Sequence, residues 1–381
     1  MEGLQFSKQI SLLYKKIKDK KMSTSKLYKA YDHLEFDMTE RTENLYASFD
    51  KLLQISKGVQ SELLRKLKPS IVISLKWRFD YLIKTMESPF ELEADVEYWI
   101  RTLETLGTLG HLDWFDMDEE EISIDPWKRT AEGFDYGWTQ TTEGKKFDAS
   151  RPIAEDRTMQ MLEMLGGTNY VAGKRILDSG CGPGRYIDVL RQYNPESITG
   201  MDQGKRLINV LKERFSEDNR IDIVHGTAEK LEFPDNSFDF VLSNGVIHHT
   251  SADLQTMIKD HARVLKSGGA MYIMLVGKGG LELKIWEFLR DFLYDVPMPS
   301  LINFFGESLS PLRMQGIVDH MYGEYQETGR DEFEGWCEGI FSSIERVPGV
   351  PGLDVTPEIY KHDPYFKARF GDGNLRYLCY K

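Results

Sequence analysis

The sequence predicts an α/β fold in which helices cover both faces of a mostly parallel sheet, and two observations support this prediction. After about Pro152, short apolar runs alternate with amphipathic helical patterns. The runs are Arg175–Asp178, Ser197–Asp202, Ile221–Val224, Phe238–Ser243 and Ala270–Val276. Such alternation is typical of βαβ units, which bind ligands at the carboxyl ends of their strands. Before them, from Phe6 to about Ile122, the chain shows helical periodicity and almost no strand pattern.

Length and composition indicate a protein with a large core. The chain has 381 residues, of which 41% are hydrophobic and 29% charged. This length predicts one large domain with additions, or two domains. The longest apolar run, Ala270–Val276, is far shorter than the roughly 20 residues of a membrane-spanning helix. The first 21 residues mix acidic, basic and short apolar pieces, unlike a secretory or transit peptide, so we expect a cytoplasmic protein with no membrane partner.

The net charge and the cysteine content limit the substrates and the kinds of site that the protein can have. The formal net charge is −13, which repels polyanions, so we expect a small-molecule substrate and no nucleic-acid partner. The three cysteines, Cys181, Cys337 and Cys379, are odd in number and widely spaced. They form neither a disulfide framework nor a four-ligand zinc site, and we expect reduced thiols and no metal.

The pattern divides the chain into a helical N-terminal domain, residues 1–130, and an α/β domain, residues 131–381. The acidic stretch Asp113–Asp125 is interpreted as a solvated linker. Within the second domain, residues 281–326 interrupt the rhythm with an aromatic-rich helical pattern and are predicted to form a cap. Two later runs, Phe341–Val347 and Leu375–Tyr380, bring the predicted strands to seven.

A glycine-rich loop follows the first predicted strand. Residues 175–186 read RILDSGCGPGRY, with Gly180, Gly182 and Gly184 spaced as G-x-G-x-G before a helix. Glycine lets the backbone turn sharply and lets a ligand lie against it, while the helix start favours an anionic group. Neither the dinucleotide pattern G-x-G-x-x-G nor a Walker motif is present.

The second strand ends in Asp202, 24 residues after Asp178. A carboxylate at this place can accept hydrogen bonds from both hydroxyls of a ribose. The alternative is an ordinary surface carboxylate at a strand end, but the preceding glycine loop favours the ribose interpretation.

The loops after the third and fourth strands add Thr227-Ala228-Glu229 and Asn244-Gly245-Val246, the latter followed by His248-His249. With the D-x-G-C-G-x-G loop, these segments resemble class I S-adenosylmethionine-dependent methyltransferases. The resemblance covers about residues 174–277 and implies a seven-stranded Rossmann-like sheet, S-adenosyl-L-methionine as cofactor and methyl transfer to a small molecule.

By this resemblance the glycine loop passes under the methionine part of the cofactor, with Asp178 near its amino group and Asp202 on the ribose. Ala228 and Glu229 face the adenine, although many relatives have Asp-Ala where this chain has Thr227-Ala228-Glu229. The predicted cofactor-binding residues are Asp178, Gly180, Cys181, Gly182, Gly184, Asp202, Gln203, Thr227, Ala228, Glu229, Asn244, Gly245 and Trp138.

Candidates for catalysis lie beside these loops. His248 and His249 follow the fourth strand, and imidazole titrates near neutral pH, so one of them, with His249 favoured, is a candidate base. The alternative is that they cap or pack the helix predicted at Ala252–Leu265. Tyr136 and Trp138, within Phe134–Trp138, are candidates to cover the cofactor or acceptor, or else anchor a linker.

Two rival functions remain at this stage. One is an NAD-dependent oxidoreductase, for which the glycine spacing is wrong. The other is a non-catalytic regulator that binds the cofactor and recruits a partner. The methyl acceptor atom, oxygen, nitrogen, sulfur or carbon, is open. For the N-terminal helices, homodimerisation, a lid over the site and docking to a partner all remain candidates.

Overall fold

The computed structural model of the protein describes residues 39–58, 62–108, 125–142, 145–294, 296, 320 and 323–381. Its strands are β1 (Arg175–Ser179), β2 (Ser197–Asp202), β3 (Ile221–His225), β4 (Phe238–Asn244), β5 (Leu265–Val276), β6 (Ser343–Arg346) and β7 (Asn374–Tyr380). They form one sheet in the order β3-β2-β1-β4-β5-β7-β6. The first five strands are parallel, and β7 lies antiparallel between β5 and β6. The predicted seven-stranded, mostly parallel α/β fold is confirmed.

Helices precede and surround this sheet. Among the described residues, five come before it: α1 (Thr39–Gly58), α2 (Glu62–Thr85), α3 (Leu92–Thr108), α4 (Pro126–Thr142) and α5 (Lys145–Met164). The others are α6 (Arg185–Leu190), α7 (Lys205–Arg214), α8 (Leu254–Val264), α9 (Leu281–Phe292), α10 (Arg330–Cys337) and α11 (Phe366–Phe370). Helix α8 begins two residues later than predicted because Asp253 caps it, accepting a hydrogen bond from the Thr256 backbone N–H at 2.8 Å.

Strand β5 differs from its predicted bounds. It begins at Leu265, five residues before the predicted start at Ala270. Its register against β4 shifts, since Phe238 pairs with Leu265 whereas Phe240 pairs with Ala270. The extra residues bulge out of the ladder, so a polar Lys-Ser-Gly-Gly stretch continues the strand without the alternation that sequence patterns detect.

Central strand β1 sets the position of the site. It pairs with β2 on one side and β4 on the other, and Ile176 and Leu177 are fully buried. Because all three strands are parallel, their carboxyl ends meet at one edge of the sheet. The loops that follow β1, β2 and β4 therefore lie side by side.

The N-terminal helices share a hydrophobic core with α9. Buried residues of α1, α2 and α3 pack in one cluster with those of α9, and the rings of Phe49 and Phe288 lie 4.8 Å apart between centroids. Helix α4 spans residue 130, the predicted domain boundary. The division at that residue stays a prediction.

The predicted cap begins with α9, and the chain later returns beside β5. The Thr328 backbone N–H donates to the Val276 carbonyl at 3.1 Å, and the Gln326 N–H donates to the His248 carbonyl at 2.7 Å. Phe304 and Phe305 of the cap lie outside the described residues, as do residues 1–38 and most of the acidic stretch. Within the described ranges, no helix combines the length and apolar character that a bilayer crossing requires.

Replacing Phe288 with alanine tests the shared core. Since this side chain is buried among residues of α1 and α9, Phe288→Ala is expected to reduce the free energy of unfolding by about 3–5 kcal/mol in urea titrations. Tyr98 on α3 is 58% exposed, so the control Tyr98→Ala is expected to cost less than about 0.5 kcal/mol. Equal losses in the two variants would contradict the shared core.

Candidate active site

A cavity of about 650 Å³ opens at the carboxyl ends of β1, β2 and β4. Helices α2, α4, α5, α6 and α9, together with residues of β5, β7 and several loops, complete its walls. Most of the predicted site residues line it: Asp178, Gly180, Cys181, Gly182, Asp202, Gln203, Thr227, Ala228, Asn244, Gly245, Trp138, His248 and His249. Three predicted residues, Gly184, Glu229 and Tyr136, are not among the lining residues.

Two glycines of the loop after β1 show why side chains are absent there. Gly182 has φ +51°, and a Cβ on it would have only Trp138, at 3.9 Å, as a neighbour, so the open space above this glycine belongs to the cavity. Gly184 has φ +78°, and a Cβ on it would lie 2.7 Å from the Phe215 ring. Gly184 therefore permits close packing of α6 against α7 rather than lining the cavity.

Asp178 is a buried carboxylate that lines the cavity with one unpaired oxygen. Its side chain is almost fully buried, and its Oδ2 has no hydrogen-bond partner among the described residues. Burial, with the neighbouring Asp202 carboxylate, raises the pKa of Asp178 to about 8. A buried carboxylate oxygen without a donor is costly, and a bound cationic group would satisfy it. The site therefore fits a ligand that carries an ammonium group.

Asp202 ends β2 and organises the loops on either side of it. Its Oδ2 accepts a hydrogen bond from the Gly182 backbone N–H and its Oδ1 accepts one from the Gly204 N–H, both at 2.9 Å. Burial raises the pKa of Asp202, while these two donors act in the opposite direction. Each oxygen has a second lone pair, so the carboxylate can still accept from ligand hydroxyls.

The loop after β3 presents two of its three predicted residues to the cavity. Thr227 and Ala228 line it, whereas Glu229 is exposed and its backbone N–H donates to Thr227 Oγ1 at 3.2 Å. The turn is short because Thr227 also forms a β-bridge with Lys230. The Glu229 side chain thus lies beside the cavity rim rather than in its wall.

Asn244, at the end of β4, belongs to a buried network of hydrogen-bonded side chains that the sequence did not predict. The Tyr272 hydroxyl donates to Asn244 Oδ1 at 3.2 Å and accepts from Arg376 Nε at 2.8 Å. Arg376 also pairs with Asp354, and Arg157 Nη2 donates to Asp354 Oδ1 at 2.6 Å. Arg157 and Asn244 both line the cavity, so this network connects two of its walls. Arg376, a charged residue within the apolar run of β7, is the feature of the sequence that could have indicated this network.

The two histidines form a short helical turn, Ile247–His249, directly after β4. His249 Nδ1 lies 2.7 Å from the Glu324 carbonyl oxygen. A carbonyl can only accept, so Nδ1 carries the proton and Nε2 keeps its lone pair. Burial lowers the pKa of His249 to about 4, although the hydrogen bond to Glu324 acts in the opposite direction. His249 is therefore a neutral imidazole at neutral pH.

His248 is more deeply buried than its neighbour. Burial, with His249 nearby, lowers the pKa of His248 well below its usual range, and its Nδ1 has no partner among the described residues. The ring centroids of the two histidines are 4.3 Å apart, and the Phe134 ring packs edge-on against His249 at 4.9 Å. Asp253, and not a histidine, caps α8.

Helix α4 lines one side of the cavity, but not with all the predicted residues. Trp138 lines the cavity, and the Arg185 guanidinium lies 4.5 Å from its ring centroid. Tyr136 instead packs against the core shared by α1, α2, α3 and α9. Its neighbour Asp135 lines the cavity and accepts a hydrogen bond from the Leu207 N–H at 3.1 Å. On a helix, adjacent residues point in different directions, which sequence reasoning about the aromatic cluster did not resolve.

Comparison with known proteins finds relatives that are named methyltransferases. A family model described as a methyltransferase domain matches residues 177–273. A demethylmenaquinone methyltransferase of Bacillus licheniformis is 33% identical over 204 residues, which are 53% of this chain and 78% of the relative. A 27-O-demethylrifamycin SV methyltransferase of Amycolatopsis mediterranei is 28% identical over 160 residues, 40% of this chain and 58% of the relative. The solved YcgJ protein of Bacillus subtilis superposes with a TM-score of 0.37 at 18% identity, covering 58% of this chain and 97% of that one.

The sheet, the glycine loop and the two buried carboxylates define an α/β enzyme that binds a nucleoside cofactor. With the 33% identical relative, they show that the chain belongs to the class I S-adenosylmethionine-dependent methyltransferases, as the sequence predicted. The protein is a methyltransferase for a small molecule, with S-adenosyl-L-methionine as its cofactor.

The raised pKa of Asp178 predicts pH-dependent cofactor binding. Below about pH 8 this carboxyl is mostly protonated in the free enzyme, while an adjacent ammonium requires its ionised form. The affinity for S-adenosylhomocysteine should therefore increase between about pH 5.5 and 7.5, by up to about tenfold per unit, with release of a proton. Calorimetry in buffers of different ionisation enthalpy measures both effects.

Asp178→Asn provides the comparison for this experiment, because its amide does not titrate. The variant is expected to bind more weakly and with a smaller dependence on pH. If the variant and the parent showed the same pH dependence, Asp178 would not be the group that titrates.

Proposed function

We propose that this enzyme transfers the methyl group to an acidic hydroxyl, a phenol or an enol, of its small-molecule acceptor, with His249 as the base. The observation that carries the proposal is the neutral His249 ring. Its Nδ1 donates to the Glu324 carbonyl, and the ring lines the cavity that also contains the predicted cofactor residues. A neutral imidazole with a free Nε2 lone pair is able to accept a proton from such a hydroxyl.

The proposed cofactor contacts combine the roles that the family resemblance implies with the residues that line the cavity. Asp178 takes the ammonium group, and Gly180, Cys181 and Gly182 lie under the methionine part. Asp202 and Gln203 take the ribose, and Thr227 and Ala228 the adenine, with Glu229 at the rim. The Asn244–Gly245 backbone accepts from the ammonium, and Trp138 covers the site. For Gly184 we propose a packing role, and for Tyr136 a role in the core.

The chemistry asked of the protein is alignment and removal of one proton. When bound, S-adenosyl-L-methionine supplies a methyl group on a positively charged sulfur, which leaves as a neutral thioether. The walls of the cavity would hold the acceptor oxygen in line with the methyl carbon. Such alignment can lower the activation barrier by several of the roughly 7–11 kcal/mol available from proximity. His249 Nε2 takes the hydroxyl proton as the oxygen forms its new bond to carbon.

The names of the relatives support a small acceptor and, in one case, an oxygen. One relative acts on demethylmenaquinone, and the name of another places its methyl group on an oxygen, O-27 of rifamycin SV. Neither acceptor is assigned to this chain. For this chain, the cytoplasmic location, the homodimer through the N-terminal helices and the lack of nucleic-acid or membrane partners stay predictions.

The experiment that tests the proposed function compares acceptor atoms on one ring system. Purified enzyme is incubated with methyl-labelled cofactor and 1-naphthol, 1-naphthylamine or 1-naphthalenethiol. We expect label in the naphthol product above all. Transfer mainly to the amine or the thiol would overturn the choice of oxygen.

His249→Gln tests the base. This substitution is expected to lower kcat by about 10²- to 10⁴-fold with unchanged affinity for S-adenosylhomocysteine. Because the pKa of His249 is about 4, the parent enzyme should lose this contribution only as the pH falls towards 4. The control is His362→Gln, an exposed histidine that does not line the cavity. Parental kcat in His249→Gln would remove the base role.

Asp202→Ala tests the ribose contact. The substitution is expected to weaken cofactor binding by about 1–3 kcal/mol, measured by calorimetry, while the thermal unfolding curve stays cooperative. Asp222→Ala is the matched control, because Asp222 is exposed on neighbouring strand β3. If Asp202→Ala bound the cofactor as tightly as Asp222→Ala, the assignment of Asp202 would be refuted.

A further inference from the structure

The cavity extends beyond the predicted cofactor residues to a second group of side chains, here called the acceptor end. It is formed by α2, α9 and the returning segment of the cap. Its residues are Lys76, Trp77, Asp80, Leu283, Trp286, His320 and Tyr325. They line the same cavity as Asp178 and His249, so a molecule held there lies in one continuous space with the cofactor site.

The shared core fixes helix α2 at this position. Val72 and Phe79, which flank Lys76 at helical spacing, are fully buried in the cluster that includes α9. Side chains three and four residues apart lie on one face of a helix. Lys76 is therefore on the buried face of α2, and its side chain is only 12% exposed.

The Lys76 ammonium has donors to spare. Among the described residues it makes one hydrogen bond, to Asp80 one helical turn away. It also lies 5.3 Å from the Trp286 ring centroid and 5.8 Å from that of Phe79. An ammonium has three N–H donors, and a mostly buried polar group is expected to have partners for them. Among the described residues, Asp80 is the one hydrogen-bond partner of the Lys76 ammonium, and Lys76 lines the cavity.

The nearby carboxylates do not fully balance this cation. The Asp80 side chain is 48% exposed, so water weakens its attraction. Glu282, on α9, is a second acid near Lys76, and burial raises its pKa to about 7 despite the attraction of Lys76. Glu282 is thus partly neutral at neutral pH. An anion bound at the acceptor end would balance the positive charge of the Lys76 ammonium.

Two tryptophans line the cavity beside this cation. Trp286 is buried, with the His320 ring stacked on it at 4.7 Å, while Trp77 is 50% exposed and also lines the cavity. A half-exposed tryptophan in a cavity wall offers an apolar face for an aromatic ring.

We propose that the acceptor is a flat aromatic molecule carrying an anionic oxygen, and that Lys76 of the N-terminal helix α2 binds this oxygen while Trp77 and Trp286 contact the ring. The proposal rests on the proposed function, since it specifies the acceptor of the same site. It makes Lys76 a specificity-determining residue and gives the N-terminal helices a direct part in substrate recognition.

The test measures binding of two probes that differ by one carboxylate. Calorimetry at pH 7.5 compares 1-hydroxy-2-naphthoate with 1-naphthol, each added to the full-length enzyme saturated with S-adenosylhomocysteine. We expect the parent to bind the carboxylate probe at least about 10-fold more tightly, as a charge-assisted hydrogen bond would give. Lys76→Met should lose this preference, and Lys76→Arg should keep most of it.

Lys84→Met is the matched control, because Lys84 is exposed near the end of the same helix and does not line the cavity. It should keep the parental preference. The proposal is overturned if the parent binds both probes equally or binds neither, or if Lys76→Met keeps the preference. If only the proposed oxygen methylation were wrong, the parent enzyme would still bind the carboxylate probe more tightly. The labelled methyl group would then not be transferred to the hydroxyl of 1-naphthol.

Discussion

Parallel pairing of β1 with both β2 and β4 is the constraint on which the site depends. It brings Asp178, Asp202 and Asn244, which are far apart in the chain, to one edge of the sheet. At that edge the three strands end and their backbone groups are free to bind loops and ligands. Asp202 connects two loops at this edge, because its two carboxylate oxygens accept hydrogen bonds from the backbone N–H groups of Gly182 and Gly204. The presence of these three residues in the wall of one cavity is thus a direct product of strand order.

Burying acidic side chains at this edge of the sheet carries an energetic cost. Asp178 keeps an unpaired oxygen in the cavity, and its raised pKa shows how strongly burial disfavours the ion. Elsewhere the cost is offset, since Arg376 and Arg157 both pair with the buried Asp354. The lack of an ion-pair partner for Asp178 among the described residues, beside the paired Asp354, is the physical reason to treat Asp178 as a candidate ligand-binding group.

The sequence predicted those parts of the protein that local patterns encode. The seven strands follow from apolar runs, and the glycine loop and Asp202 follow from spacing next to those runs. The contribution of α2 to the cavity was not predictable, because Lys76 and Trp286 are 210 positions apart and meet only through tertiary packing. The pairing of Arg157 with Asp354 is of the same kind. At Phe134–Trp138 the motif was recognised, but helix direction decided that Asp135 lines the cavity and Tyr136 does not.

The Glu324 carbonyl that fixes the protonation of His249 belongs to the main chain, and every amino acid carries the same group at that place. What selects the imidazole tautomer is therefore the path of the polypeptide from Gly323 to Thr328, not the chemical identity of residue 324. A change of side chain in this segment, for example at Tyr325 in the cavity wall, alters the shape of the cavity and leaves the carbonyl group of residue 324 in the main chain. The shape of the cavity and the tautomer of His249 are thereby set by different atoms of one short peptide.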